Sequence, residues 1–151
     1  MSVAPPRSVL VTAIGVLLVD ALSKDWVRHA LTRPVHVFGP LWLRLQYNTG
    51  VAFSFNRSGP LVTTTLTTLV ALGLLIAAWR ARRGAPALGF GLLLGGGVAN
   101  VLDRLMATPH EVTDFIAVGS FPVFNGADVA ISAGFVLLIV EVLRGDTLMG
   151  R

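Results

Sequence analysis

Two long stretches of the chain carry no charged residue. Residues 58–79 and 84–102 hold 22 and 19 uncharged residues, close to the roughly 20 that an α-helix needs to cross the hydrocarbon core of a membrane. Two shorter apolar runs, residues 8–19 and 129–140, are 12 residues long and can span only if neighbouring charges enter the membrane. The pattern predicts an all-α integral membrane protein with four transmembrane helices, at about residues 8–30, 59–80, 85–105 and 126–144.

The first apolar run has an alternative interpretation as a cleavable secretory signal, because Arg7 precedes it. A secretory signal ends in a cleavage site of small residues, whereas this run is followed by Asp20, Lys24 and Asp25. We therefore predict that the first helix stays in the protein.

A short β-strand is predicted between the first two helices. Apolar and polar side chains alternate from Leu43 to Asn48, and Gly39 and Pro40 precede the segment as turn residues. Alternation with a period of two is typical of a half-exposed strand. With residues 53–55, the strand is predicted to form a small extracytoplasmic platform beside an outer loop.

The orientation in the membrane is predicted from the arginines. Three of them crowd into residues 80–83, between the second and third helices, and short basic loops favour the cytoplasmic side. Both chain termini are then cytoplasmic and the two longer connections lie outside. The prediction depends on local density, because the outer segments also hold Arg28, Arg33, Arg44 and Arg57.

Composition supports a membrane protein made of one domain, residues 1–151. Hydrophobic residues make up 54% of the chain and charged residues 13%, against about 25% charged in ordinary soluble domains. The net charge of +4 does not predict nucleic-acid binding, because the basic residues are scattered or flank apolar segments. The absence of cysteine excludes disulfides, a thiol nucleophile and thiolate metal sites. No oligomerisation motif stands out, and we expect a monomer.

The polar residues of the predicted spans gather at one membrane face. Because successive helices cross the membrane in opposite directions, most of their charged and amide side chains fall at the outer end, whereas Glu141 falls at the cytoplasmic end. A charge at the centre of a membrane helix costs on the order of 2.5–3.5 kcal/mol, so a layer of charges needs an explanation. The residues predicted in this layer, or able to reach it from the outer connections, are Asp20, Lys24, Asn48, Asn100, Asp103, Arg104, Asp114, Asn125 and Asp128.

Two explanations of the polar layer remain open from the residues alone. Asp20 and Lys24 lie four apart on one helix face, and such pairs can simply hold a bundle together. Asp114 and Asp128 come from different elements, because Gly119 and Pro122 interrupt any helix between them. Two carboxylates brought together cannot both ionise easily, and this unequal protonation is what an aspartic protease uses.

Other chemistries fit the sequence less well. His29, His36 and His110 lack metal-ligand spacing, so a zinc protease is not favoured. Lys24 and its neighbour Ser23 point to different sides of a helix, which disfavours a serine–lysine pair. The glycines at residues 95–97 favour close helix packing over phosphate binding. Two alternatives remain from other classes, a small transporter with a proton relay and a noncatalytic assembly protein.

Five segments of the chain together resemble one family. They contain Asp20-Ala-Leu-Ser-Lys24, Tyr47-Asn48-Thr-Gly50-Val-Ala-Phe-Ser, Gly95-Gly-Gly-Val-Ala-Asn100-Val-Leu-Asp103-Arg104, Val112-Thr-Asp114-Phe115 and Phe124-Asn125-Gly-Ala-Asp128. In this order and spacing the sequence resembles the bacterial lipoprotein signal peptidases, also called signal peptidase II. Ala99 departs from the glycine expected there, and Gly126 occupies a position that the family fills freely.

The resemblance implies a membrane aspartyl endopeptidase of the bacterial inner membrane with its active site near the outer face. It implies that Asp114 and Asp128 are the catalytic pair, and that no metal or cofactor is needed. The implied partners are membrane lipid and lipid-modified prolipoproteins, cut just before the diacylglyceryl-modified cysteine. The residues that it implies line or brace the site are Asp20, Lys24, Asn48, Gly50, Asn100, Asp103, Arg104 and Asn125.

Overall fold

The structure, a computed structural model, describes residues 5–49, 59–107 and 110–150. Four α-helices and one small sheet make up this part of the chain. The helices are α1 (Arg7–Ala30), α2 (Gly59–Trp79), α3 (Ala85–Met106) and α4 (Gly126–Leu143), and the strands are β1 (Val35–Phe38), β2 (Leu41–Asn48) and β3 (Val112–Val118).

The predicted strand is confirmed as β2, and it forms the centre of an antiparallel sheet in the order β1-β2-β3. Sequence analysis did not identify β3. Five of its seven residues, Val112 to Phe115 and Ala117, are buried, so the strand shows no alternation of apolar and polar side chains from which a period of two could be recognised.

Three of the helices, α2, α3 and α4, are long and apolar enough to cross a membrane within the described residues. The first helix is longer, with 24 residues, yet it does not have the same apolar character. Its C-terminal half contains Asp20, Lys24 and Asp25, and these charges lower its hydropathy.

The third helix lies at the centre of the bundle, and its glycines set how closely the other helices approach. A Cβ atom added at Gly95 would lie 2.8 Å from the carbonyl oxygen of Ala13 in α1, and one at Gly96 would lie 2.5 Å from that of Ala127 in α4. Gly97 points toward Ala71 of α2, with 4.0 Å between the added Cβ and the alanine Cβ. Gly95 and Gly96 therefore permit the close approach of α1 and α4, whereas a Cβ at Gly97 would make only an ordinary contact with α2.

The bundle has two distinct ends. At the sheet end, Val27 and Leu31 of α1 pack against Phe115 of β3. At the opposite end, the C-terminal segment lies beside the connection between α2 and α3. There the backbone N–H of Arg82 donates to the carbonyl of Leu148 at 2.9 Å.

The start of α1 also lies at this opposite end, because Val9 packs in one cluster with Ala78 and Ala87. The beginning of α1, the arginine-rich connection and the C-terminal segment therefore share one end of the molecule. This relative placement agrees with the predicted topology.

Candidate active site

Asp114 and Asp128, the aspartate pair, meet around Asn125 at the beginning of α4. The side-chain oxygen of Asn125 accepts from the backbone N–H of Asp128 at 3.0 Å, and the Asp128 carboxylate accepts from the backbone N–H of Asn125 at 3.2 Å. This reciprocal capping box satisfies N–H groups that a helix start leaves without partners. The amide nitrogen of Asn125 then donates to Oδ1 of Asp114 at 2.7 Å, so one asparagine holds both carboxylates.

Asp114 is buried, with 1% of its surface exposed. It lies on β3 at the register position opposite Gln46 of β2, and its Oδ2 accepts from the amide nitrogen of Asn48 at 2.9 Å. Burial raises the pKa of Asp114 to about 6 although the hydrogen bond from Asn48 opposes the rise. The negative charge of Asp128 raises the pKa further, while the hydrogen bond from Asn125 and the charge of Lys24 lower it.

The raised pKa of Asp114 predicts a loss of stability as the pH increases. The folded protein binds this proton more tightly than the unfolded chain, whose aspartate has the ordinary pKa of 3.8. Protonation of Asp114 therefore stabilises the folded state fully below pH 3.8, and this contribution is lost as the pH rises through about 6. The free energy of unfolding falls by about 3 kcal/mol at most. The free energy of unfolding, measured in detergent between pH 4 and pH 8, tests this prediction. Asp114→Asn is the comparison, because its side-chain amide does not titrate. An identical pH dependence in the two proteins would contradict the prediction.

Asn100 of α3 connects the aspartate pair to the first helix. Its amide nitrogen donates to Oδ1 of Asp128 at 2.9 Å, and its oxygen accepts from the amide nitrogen of Asn125 at 3.1 Å and from Nζ of Lys24 at 3.2 Å. Because both partners of the oxygen are donors, the amide orientation of Asn100 is fixed. Its N–H₂ group must therefore face Asp128.

Lys24 lies between Asp20 and Asp103, and we call these three residues the lysine triad. The ammonium of Lys24, with 1% of the side chain exposed, is 2.5 Å from Asp20 and 2.9 Å from Asp103. Such a buried cation is stable only when it is paired. The pairing of Asp20 with Lys24 agrees with the structural explanation of the polar layer.

The two carboxylates of the lysine triad also support the aspartate pair. Asp20 accepts from the backbone N–H of Ala127 at 2.8 Å, and Asp103 accepts from the backbone N–H of Thr113 at 3.1 Å. Ala127 and Thr113 are the residues just before Asp128 and Asp114. Each carboxylate of the triad thus accepts a hydrogen bond from the backbone next to one aspartate of the pair.

Arg28 is a residue of this network that sequence analysis did not select. Its Nη2 donates to Oγ1 of Thr113 at 2.7 Å and lies 3.2 Å from Oδ1 of Asp103. The available signal was its position four residues after Lys24, on the same face of α1. In the predicted topology it lies instead among the arginines of the outer segments.

Arg104 contributes a buried positive charge beside the pair. Its Nη1 donates to the backbone carbonyl of Asn100 at 3.3 Å, and its charge interacts favourably with those of Asp114 and Asp128. Its Nε is buried and has no hydrogen-bond partner among the described residues. A buried donor without a partner is unusual.

No group of three His, Asp or Glu side chains in residues 5–49, 59–107 and 110–150 is arranged to hold a metal ion.

Comparison with known proteins identifies the family. The family model described as signal peptidase (SPase) II matches residues 12–144. The chain belongs to the signal peptidase II family. A lipoprotein signal peptidase of Synechococcus sp. (strain RCC307) is 40% identical over 90% of this chain and 94% of its own length. Another, of Rhodococcus jostii (strain RHA1), is also 40% identical, over 94% of this chain and 79% of its own length.

Two solved structures share the fold of this signal peptidase II chain. Both are bacterial membrane enzymes, with TM-scores of 0.78 and 0.77 and sequence identities of 23% and 24%. Each alignment covers 91% of this chain, and 88% and 93% of the respective structures.

Most of the selected site residues come together in the structure. Hydrogen bonds and ion pairs connect Asp20, Lys24, Asn48, Asn100, Asp103, Asp114, Asn125 and Asp128 in one network, and Arg104 joins it through the backbone of Asn100. Gly50 lies outside the described residues, as does the segment of residues 53–55. Ala99, where the family pattern suggests glycine, is buried in α3.

Proposed function

We propose that this signal peptidase II uses Asp114 and Asp128 to hydrolyse the peptide bond before the diacylglyceryl-modified cysteine of prolipoproteins. The observation that carries the proposal is the capping asparagine. Asn125 hydrogen-bonds both carboxylates, and the pair lies at the end of an apolar helix bundle. The released product is the signal peptide, which stays in the membrane.

The unequal environments of the two aspartates suggest their roles. Asp114 is buried and its pKa is raised to about 6, so it is the aspartate that holds the shared proton. Asp128 is more exposed, and it takes a proton from the attacking water as that water adds to the scissile carbonyl carbon. Asp114 gives its proton to the carbonyl oxygen. As the tetrahedral intermediate collapses, one of its two hydroxyl groups returns a proton to Asp114, the C–N bond breaks, and the amine leaves with the proton held by Asp128.

Arg104 is proposed to bind substrate close to this reaction. Its buried Nε lacks a partner in the described part of the chain, and the guanidinium carries a positive charge near both aspartates. Because this Nε is not exposed, the Arg104 side chain would have to move for it to donate to a substrate carbonyl oxygen. The developing negative charge on that oxygen would also be stabilised.

In the membrane, we propose that α1 spans together with the other three helices and that the protein acts as a monomer. The sheet end faces the outer side of the inner membrane, and both termini are cytoplasmic. Support comes from the arginine-rich connection, which lies beside the C-terminal segment at the opposite end. A lateral opening between helices would admit the apolar signal helix and its acyl chains.

The charge distribution argues against a proton relay. A relay needs ionisable groups at successive depths across the bilayer. Residues 84–102 and 129–140 contain none, and Glu141 is separated from Asp128 by the uncharged run of α4. The polar network is therefore confined to the sheet end of the bundle.

Cleavage of a matched pair of substrates tests the proposed reaction. The purified peptidase in lipid is incubated with a diacylglyceryl-modified prolipoprotein. A second substrate is the same prolipoprotein with the cysteine that carries the lipid replaced by serine, and the products are followed by gel mobility. We expect the modified substrate to lose its signal peptide and the serine form to remain intact. Equal cleavage of both would contradict the lipid requirement, and failure to cleave either by a folded protein would contradict the function.

A further inference from the structure

A groove of about 730 Å³ runs between α1 and α3 and is separate from the aspartate pair. Its walls contain Lys24, Asp103 and Thr113 but neither Asp114 nor Asp128. The volume lies within the range of about 300–1,000 Å³ of typical small-molecule sites. The groove therefore contacts residues that support the aspartate pair, but not the two aspartates of the pair.

The lining of the groove becomes more polar along α1. It begins with Leu17 and Leu18, passes Asp20 and Ala21, and ends with Lys24 and Arg28. The distance along α1 from Leu17 to Arg28 is about 16 Å, close to the roughly 15 Å of hydrocarbon in one leaflet. The groove therefore has about the length of one leaflet and becomes more polar toward the sheet end. It fits an amphiphile whose polar headgroup lies at the sheet end.

A second, almost wholly apolar groove continues from the first. It has a volume of about 310 Å³ and lies between α1, α2 and α3, where Leu17 belongs to both linings. Ile14 and Leu10 extend it along the same face of α1. The apolar end therefore offers room for a hydrocarbon tail beyond the length of the first groove.

The polar end presents charges of both signs. Arg28 has 40% of its side chain exposed, and its Nη1 donates to no described residue. Glu111 lines the same groove. We propose that the groove binds a zwitterionic bilayer phospholipid of the phosphatidylethanolamine type, with its phosphate on Arg28 and its ammonium on Glu111.

Charge favours this headgroup over an anionic one. The groove is lined by the three carboxylates Asp20, Asp103 and Glu111 and by the two cations Lys24 and Arg28, so its net charge is negative. Phosphatidylglycerol adds a negative charge without an ammonium to offset it. Phosphatidylcholine carries a quaternary ammonium, which has no N–H to donate to Glu111.

Binding measurements with defined lipids test the site without any peptidase substrate. The purified protein in detergent is titrated with phosphatidylethanolamine, phosphatidylglycerol or phosphatidylcholine of identical acyl chains, and bound lipid and thermal unfolding are recorded. We expect phosphatidylethanolamine to bind at least about tenfold more tightly than phosphatidylglycerol, the effect of about one charge-assisted hydrogen bond.

Four variants assign the contacts. Arg28→Gln should weaken phosphatidylethanolamine binding about tenfold, and Glu111→Gln should remove its advantage over phosphatidylglycerol. Ala21→Trp fills part of the groove and should weaken all three lipids, whereas Arg44→Gln, at an exposed arginine of β2, should change nothing.

The proposal is overturned if wild-type protein binds the three lipids equally, or if Glu111→Gln and Ala21→Trp both leave phosphatidylethanolamine binding unchanged. Because no substrate is present, either result leaves the proposed reaction untouched.

Discussion

Replacement of Asp128 or of Asp114 by asparagine is expected to lower the cleavage rate of a diacylglyceryl-modified prolipoprotein by about 10³-fold. Each change keeps the size of the side chain and removes its ionisation, so the pair can no longer both accept and donate a proton. General acid–base groups contribute about 10²–10⁴-fold to enzymatic rates. Single-turnover cleavage in lipid, followed by gel mobility, measures the loss.

The two variants should differ in stability, because Asp114 is buried whereas Asp128 is partly exposed. Asp128 accepts from Asn100 on one oxygen and from the backbone N–H of Asn125 on the other. Rotation of the Asn100 amide would break the hydrogen bond that its oxygen accepts from Lys24. The N–H₂ group of Asp128→Asn must therefore face another donor, either the amide of Asn100 or the backbone N–H of Asn125. We expect Asp128→Asn to cost about 1–3 kcal/mol of unfolding free energy.

Asp114→Asn, by contrast, removes a buried carboxylate with a pKa of about 6. Its new N–H₂ group faces the amide donor of Asn48 or of Asn125, but removal of the buried negative charge at pH 8 offsets part of that cost. We therefore expect Asp114→Asn to lose less unfolding free energy than Asp128→Asn at pH 8 while being as inactive. Asp25→Asn, at an exposed aspartate of α1, is the matched control and should keep wild-type activity. Wild-type cleavage by a folded Asp114→Asn or Asp128→Asn protein would refute the proposed roles of the pair.

Removal of the positive charge of Lys24 is expected to have the largest effect on stability. In Lys24→Met, Asp20 and Asp103 lose the cation that lies 2.5 Å and 2.9 Å from them in wild type. Breaking a buried ion pair from one side typically costs about 3–5 kcal/mol, because the remaining charge stays uncompensated. Unfolding in mixed detergent micelles measures the loss, and Arg44→Met at an exposed site is the control.

A triple variant separates the effect of charge from the effect of packing. Asp20→Asn and Asp103→Asn, combined with Lys24→Met, leave no buried charge in the triad but keep oxygens that accept from the backbone N–H of Ala127 and Thr113. The triple variant should be more stable than Lys24→Met alone. If Lys24→Met costs less than about 1 kcal/mol, or if the triple variant is less stable than the single one, the triad does not stabilise the fold through its charges.

The helices of this protein could be predicted from its sequence because membrane spans have a local signature. Uncharged runs of the right length marked α2 and α3, and the alternation of side chains marked β2. The polar layer followed from the same reasoning, since helices of alternating direction convert sequence position into depth. Ile116 and its neighbours in β3 gave no such signal, because a strand buried on both faces has no alternation.

Within the polar layer, the sequence by itself determined which residue types are costly in a membrane and which of them share a helix face. Only the tertiary structure decided their partners. Lys24 meets Asn100 across 76 positions of sequence, and Asp20 meets the backbone of Ala127 across 107. Spacing along a chain cannot specify such contacts, because they depend on how closely α1 and α4 approach α3. Glycines on α3 set that approach, and the network of polar atoms then holds two aspartates together at the sheet end.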